Sequence, residues 1–300
     1  METRVRVVTL ASLLTFAVTA AVRAATPVQT ARANRQVALR ASSQLLGDVV
    51  LPAAAIRMSA EPAGDGHQLT RPLQRLFFAA QVDRHAFWTS AASPAAVFAS
   101  VTAHLPAGAK LQGSGSGGPN AFVSYTLPTT NQSALRARQL VVETEALTGG
   151  GIAVRADAEV QYFAPRPADQ QVPRTAHVLE ITMTTSDKVL LSLTITRRSQ
   201  VRQIAALVDH LPFAGNWSGV GFSCPAFTAS SPLDTFVFRA AVGGRALARV
   251  SALAVTPPTA DPCELTELTI GANREPALMQ GGVLLRRAGS LLGVKLTASP

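Results

Sequence analysis

Cysteine is nearly absent: Cys224 and Cys263 are the only two in 300 residues. They stand too far apart for the Cys-x-x-Cys pattern of redox centres. Histidine is scarce as well. No two of His67, His85, His104, His177 and His210 lie three to five positions apart, so no zinc signature appears. Lysine is reduced to Lys110, Lys188 and Lys295, so arginine supplies the other 24 of the 27 basic residues. Those charges are scattered, with doublets only at Arg197-Arg198 and Arg286-Arg287. A nucleic-acid surface needs a clustered stripe, so nucleic acid is excluded as a partner. The net charge of +9 suits loose attraction to an anionic envelope surface. No serine sits in a Gly-x-Ser-x-Gly elbow. Beyond the N-terminus, no stretch is apolar enough to span a membrane.

What is present begins with a leader. Arg4 and Arg6 precede the uncharged apolar run from Val7 to Val22, and Val22-Arg23-Ala24 puts small residues at the cleavage positions. Residues 1–24 therefore read as a secretory signal peptide. An uncleaved membrane anchor is the alternative. The alanine- and arginine-rich stretch 25–44 shows no sustained apolar face and reads as a flexible leader. The rest divides at the proline-bounded connection Arg166–Pro173 into a first unit, 45–170, and a second, 171–300. Each is long enough for its own modest core.

The stretch from Ser199 to Cys263 organises the second unit. Ser199 reads as an N-cap, Val201, Ile204, Val208 and Leu211 fall at helical spacing, and Pro212 stops the helix. The period then changes to two. Phe236, Phe238, Ala240 and Val242 lead into Gly243-Gly244. A three-residue turn pairs Phe238 with Val250 and makes one clean apolar face, at the cost of setting Arg239 opposite Arg249. The first unit repeats the order. Ser93 caps, Pro94 opens the helix, Val97, Phe98, Val101 and Leu105 make its face, and Gly113–Gly118 reads as a flexible loop. Strands follow over Phe122–Leu127, Leu140–Leu147 and Ile152–Tyr162, the last two around Gly149-Gly150-Gly151. Both helices end in His-Leu-Pro. His177–Thr185 and Val189–Thr196 read as a hairpin, Glu264–Ile270 as a strand, and Leu284 to Leu292 as a C-terminal helix. The fold class is α+β: antiparallel sheets each covered by one or two helices, in two degenerate strand–helix–hairpin units.

An even pair of cysteines in an exported chain implies a disulfide. A Cys224–Cys263 bond closes a loop of 39 residues, worth about 4 kcal/mol by chain entropy. Gly113–Gly118 satisfies Gly-x-Gly-x-x-Gly, but a helix precedes it and Pro119 with a strand follows. A dinucleotide site needs the opposite order, so no cofactor is expected, and no metal. Asp83 and His85 are the close carboxylate–histidine pair, and on a strand they share a face beside Phe87 and Trp88. Arg155, Asp157 and Glu159 alternate on another strand face, which reads as solvated and self-paired.

Asp83-Arg84-His85-Ala86-Phe87-Trp88, His104-Leu105-Pro106-Ala107-Gly108, Val154-Arg155-Ala156-Asp157-Ala158 and Cys224-Pro225 resemble secreted proteins of high-GC actinobacteria to which no activity is assigned. The resemblance covers roughly residues 45–300 and implies export and architecture, but no reaction. Together these readings point to an exported, non-catalytic protein that binds a ligand at or outside the cell envelope. The alternative is a secreted hydrolase using Asp83 and His85 in a cleft between the halves.

Overall fold

The computed structural model describes residues 27–62, 68–72, 78–117, 120–129, 134–186, 188–215, 231–253 and 265–296. The leader through residue 26 and both cysteines lie outside the described residues. The chain is α+β, and the described residues form two antiparallel six-stranded sheets and four α-helices.

The first sheet contains β1 (Ile56–Met58), β2 (Gln81–Ser90), β3 (Lys110–Gly117), β4 (Asn120–Leu127), β5 (Leu135–Ala146) and β6 (Ile152–Tyr162), in the order β1-β2-β6-β5-β4-β3. Two helices, α1 (Pro27–Gly47) and α2 (Pro94–Ala103), cover one face. Period-two alternation sends Ala86, Trp88, Val154, Ala156 and Ala158 to that face, where they meet Val97 and Val101 of α2 and Leu45 and Leu46 of α1. Ser93 caps α2, accepting from the Ala96 N–H at 3.3 Å, and Pro94 occupies its first turn.

The second sheet contains β7 (Val178–Thr184), β8 (Val189–Ile195), β9 (Leu233–Arg239), β10 (Ala246–Leu253), β11 (Thr266–Ile270) and β12 (Asn273–Arg274), in the order β12-β11-β10-β9-β7-β8. Here α3 (Arg198–Asp209) and α4 (Gly281–Leu292) cover one face. Val201, Ile204 and Val208 of α3 and Leu284, Leu285 and Ala288 of α4 pack on Leu179, Ile181, Phe236, Phe238 and Val250.

The halves share a linear order but not a strand connection. In the first sheet the strand before the helix, β2, pairs with β6, the second strand of the glycine-turned hairpin. In the second sheet β7 pairs with β9, the first strand of its hairpin. The α2 crossover passes over three intervening strands, whereas the α3 crossover passes over β7 alone.

Several local expectations need correction. The stretch expected to be a flexible leader is α1 from Pro27 onward, with Ala38 and Ser42 fully buried against the first sheet. Alanine is the best helix former, and a stripe of small residues packs closely without showing a hydrophobic pattern. The glycine-rich stretch expected as a loop is β3, paired with β4 along its length. A Cβ at Gly115 would lie 2.6 Å from the Phe122 ring, so only glycine leaves that ring its place. Arg197, not Ser199, holds the N-cap position of α3, and its side chain makes no capping bond.

The β9–β10 register also differs from the expected one. Phe238 faces Ala248 and Phe236 faces Val250, with an irregularity between Ala246 and Ala248. A turn closed by the Gly244 N–H on the Ala241 carbonyl at 3.0 Å, with Gly243 at φ +68°, lengthens the loop. The shift of two residues keeps the apolar face. It sets Arg239 free to pair with Glu180 at 2.9 Å rather than oppose Arg249. On β8, Leu191, Leu193 and Ile195 pack against the core, while Val189, at the start of the same alternation, is 61 % exposed.

Candidate functional site

The face of the first sheet away from the helices is polar and largely buried. Antiparallel pairing of β2 with β6 sets His85 opposite Asp157 and Asp83 opposite Glu159. Pairing of β6 with β5 sets Glu143 opposite Arg155. The Arg155–Asp157–Glu159 row, expected to be solvated, is buried. Two of the three, Arg155 and Asp157, pair with each other as expected. Arg155 grips Asp157 with two parallel bonds, Nε to Oδ2 at 2.7 Å and Nη2 to Oδ1 at 2.6 Å. Its Nη1 donates to the Leu69 carbonyl, and Leu69 is itself buried over this face. The guanidinium lies 5.5 Å from the Phe87 ring centre. Burial alone lowers the Arg155 pKa. The Asp157 hydrogen bonds and the charges of Asp157, Glu143 and Asp83 outweigh that and hold it above the usual arginine value.

Asp83 and His85 do meet, as their spacing on a strand predicts, and Asp157 joins them. Ligand atoms of the three lie within 4.8 Å of one another. Spacing along the chain cannot reveal this trio, because Asp157 arrives across the β2–β6 ladder. Both Asp157 oxygens already receive Arg155, so a protein cation stands where a metal ion would bind the carboxylate. His85 is exposed and rests edge-on against Phe87, with ring centres 5.2 Å apart. Asp83 and His85 open onto a cleft of about 370 Å³ shared with Ser43, Leu46, Arg57 and Arg84. That cleft belongs to the first sheet and α1 and does not lie between the halves, as the hydrolase reading expected.

His104 and His210 fall at the C-caps of α2 and α3, and each Nδ1 donates to the carbonyl four residues back, at 2.7 and 2.6 Å. They are helix-terminal groups, as their position in the His-Leu-Pro pattern predicts.

The junction of the halves was not legible in the sequence. Buried Arg166, after β6, donates to the Val208 carbonyl of α3 at 2.9 Å and to Asp209 at 3.1 Å. The Asp209 Oδ1 also accepts the Val172 N–H at 2.9 Å. Arg136 of β5 donates to the His210 carbonyl and lies 4.8 Å from the Phe163 ring centre, and Phe163 stacks on His210 at 5.4 Å. Beside these contacts a cavity of about 750 Å³ opens between β5 and the α3–α4 pair. Arg136, Phe163, Leu207, His210, Gln280 and Arg287 are among its walls, and no carboxylate is among the described residues lining it.

The architecture is that of a two-sheet α+β protein with a cavity at the junction of its sheets. No family model matches the chain, and no curated protein or solved structure matches it. No helix among the described residues is long and apolar enough to cross a membrane.

Proposed function

We propose that the protein is exported and acts at or outside the cell envelope by binding a ligand in the cavity between its halves, without transforming it. The cavity itself carries the reading. At about 750 Å³ it falls in the range of small-molecule sites, and its mixture of apolar walls and a few convergent polar groups is the composition such sites show. Its walls come from both sheets' elements, so a ligand there also ties the halves together. The hydrolase alternative draws on Asp83 and His85, but Asp157, the carboxylate facing His85 across the ladder, is already bonded to Arg155 through both of its oxygens.

Export draws its support from the N-terminal pattern and from the placement of the cysteines. The segments that carry Cys224 and Cys263 lead into β9 and β11. Both strands are antiparallel to β10 and so begin at the same end of the sheet, where Asp234 and Thr266 each pair with Ala252. A disulfide between those segments would join the entries to the two strands that flank β10, at one end of the sheet.

The test is a panel of ester, glycoside and peptide substrates on the purified exported chain, with its N-terminus sequenced. The expected result is a start near Ala25 and no turnover. Robust hydrolysis abolished by His85→Ala overturns the binding reading in favour of the enzyme.

A further inference from the structure

Resting on the reading of the junction as a binding cavity, we propose that its ligand is a small organic dianion, such as a phosphate monoester. Arg136 and Arg287 grip the charged head, and Leu207 and Val283 line the space for its body.

Four features of the cavity converge on this. Two guanidiniums reach it from different elements, Arg136 from β5 and Arg287 from α4. Neither forms an ion pair with a carboxylate among the described residues. The nearest carboxylate on α3, Asp209, is committed to Arg166 and to the Val172 N–H. Arg136 is held in place by its bond to the His210 carbonyl and its contact with Phe163, and a guanidinium has five donors, so one such bond leaves others for a ligand. Burial, and then the charge of Arg287, bring its pKa down to about 10. The protein thus keeps two like charges together, Arg136 partly desolvated and Arg287 exposed, with no counter-charge between them among the described residues, an arrangement that an anion relieves.

The backbone adds to this. α4 starts at the cavity, so the positive end of its dipole faces the same space. Gln280, at its N-cap, is the one non-glycine residue at positive φ among the described residues, at φ 69° and ψ 36°. Strained backbone of this kind persists where the surroundings hold it, and it clusters at ligand sites. The apolar walls from Leu207 and Val283 favour an organic ester over a bare inorganic ion.

The test uses phenyl phosphate as probe, titrated calorimetrically into the purified full exported chain at neutral pH, with inorganic phosphate, phenol and benzylamine in parallel. The expected result is one saturable site for phenyl phosphate, with inorganic phosphate weaker. Arg287→Gln and Arg136→Gln each weaken phenyl phosphate binding about tenfold or more. Arg286→Gln removes the same charge one position away, outside the cavity lining, and changes affinity by less than about twofold. Arg287 is exposed, so its variant decides the matter even if Arg136→Gln disturbs folding. Absence of saturable phenyl phosphate binding, or equal weakening by Arg286→Gln and Arg287→Gln, overturns the proposal. Inorganic phosphate binding as tightly as phenyl phosphate overturns its organic part. If phenol or benzylamine shifts the NMR signals of Phe163 and His210 while phenyl phosphate does not, the anion class falls and the binding reading stands. If no probe shifts them, both fall.

Discussion

Asp234 sits on the core face of β9, fully buried, and neither carboxylate oxygen has a hydrogen-bond partner among the described residues. Burial raises its pKa from 3.8 to about 7. An acid raised in the folded state binds more protons there than in the unfolded chain, so stability falls as pH rises between the two values. The contribution of Asp234 to stability should be greatest below about pH 4, decline through pH 7 and then level off, with a total change of order 4 kcal/mol. Asp234→Asn should flatten that slope and raise stability at pH 8, as read by urea denaturation across pH. An unchanged slope would mean that another group carries the proton. The Arg155–Asp157 pair shows how such features escape a linear reading. Alternation on one strand announces that the two share a face, but whether water reaches that face depends on Leu69 and on the neighbouring strands.

At the scale of elements, α1 is the largest departure from the sequence reading. Its inward positions include Ala31, Asn34, Ala38, Ala41 and Ser42, none of which makes a conspicuous apolar stripe. Asn34 donates its side-chain amide to the Phe163 carbonyl at 2.8 Å, and Ser43 accepts from Arg84 Nη1 at 2.9 Å. The helix is therefore docked by close packing and polar contacts along its length as well as by Val37, Leu39, Leu45 and Leu46, which pack against the sheet. Ala38→Glu places an unpaired charge at a position that is 0 % exposed and should cost about 2 kcal/mol or more. Gln36→Glu, on the exposed side of the same helix, should be close to neutral. Equal effects in chemical denaturation would show α1 to be undocked in solution. By contrast α2, with Ser93, Pro94 and two buried valines, was readable in full, because capping and apolar periodicity act within one turn. The β9–β10 hairpin was readable as a hairpin but not in register, since the Ala241–Gly244 turn consumes residues that the shorter turn would leave to the ladder.

For the molecule as a whole, a Cys224–Cys263 bond, if formed as proposed, would tie together the segments that lead into β9 and β11. Removing it with Cys224→Ser should lower unfolding free energy by about 4 kcal/mol under oxidising conditions. Under reducing conditions the variant should resemble the wild type. Two titratable thiols in the natively folded protein, purified without reductant, would contradict the bond. The second sheet's core, resting on α3 and α4, should show the larger loss, measurable by hydrogen exchange at β9 and β10.

Local chemistry alone determined the α+β class, most strand positions, the start of α2 and the stop of α3, because caps, prolines and periodicity work over a few residues. It also placed Asp83 beside His85, since strand pleating does that unaided. Only tertiary structure decided that Asp157 would join them, that Arg155 would already hold it, and that β5, α3 and α4 would bring Arg136 and Arg287 to one cavity. Those meetings depend on which strands become neighbours and which face is covered, and such choices are settled by long-range packing rather than by any short stretch of chain.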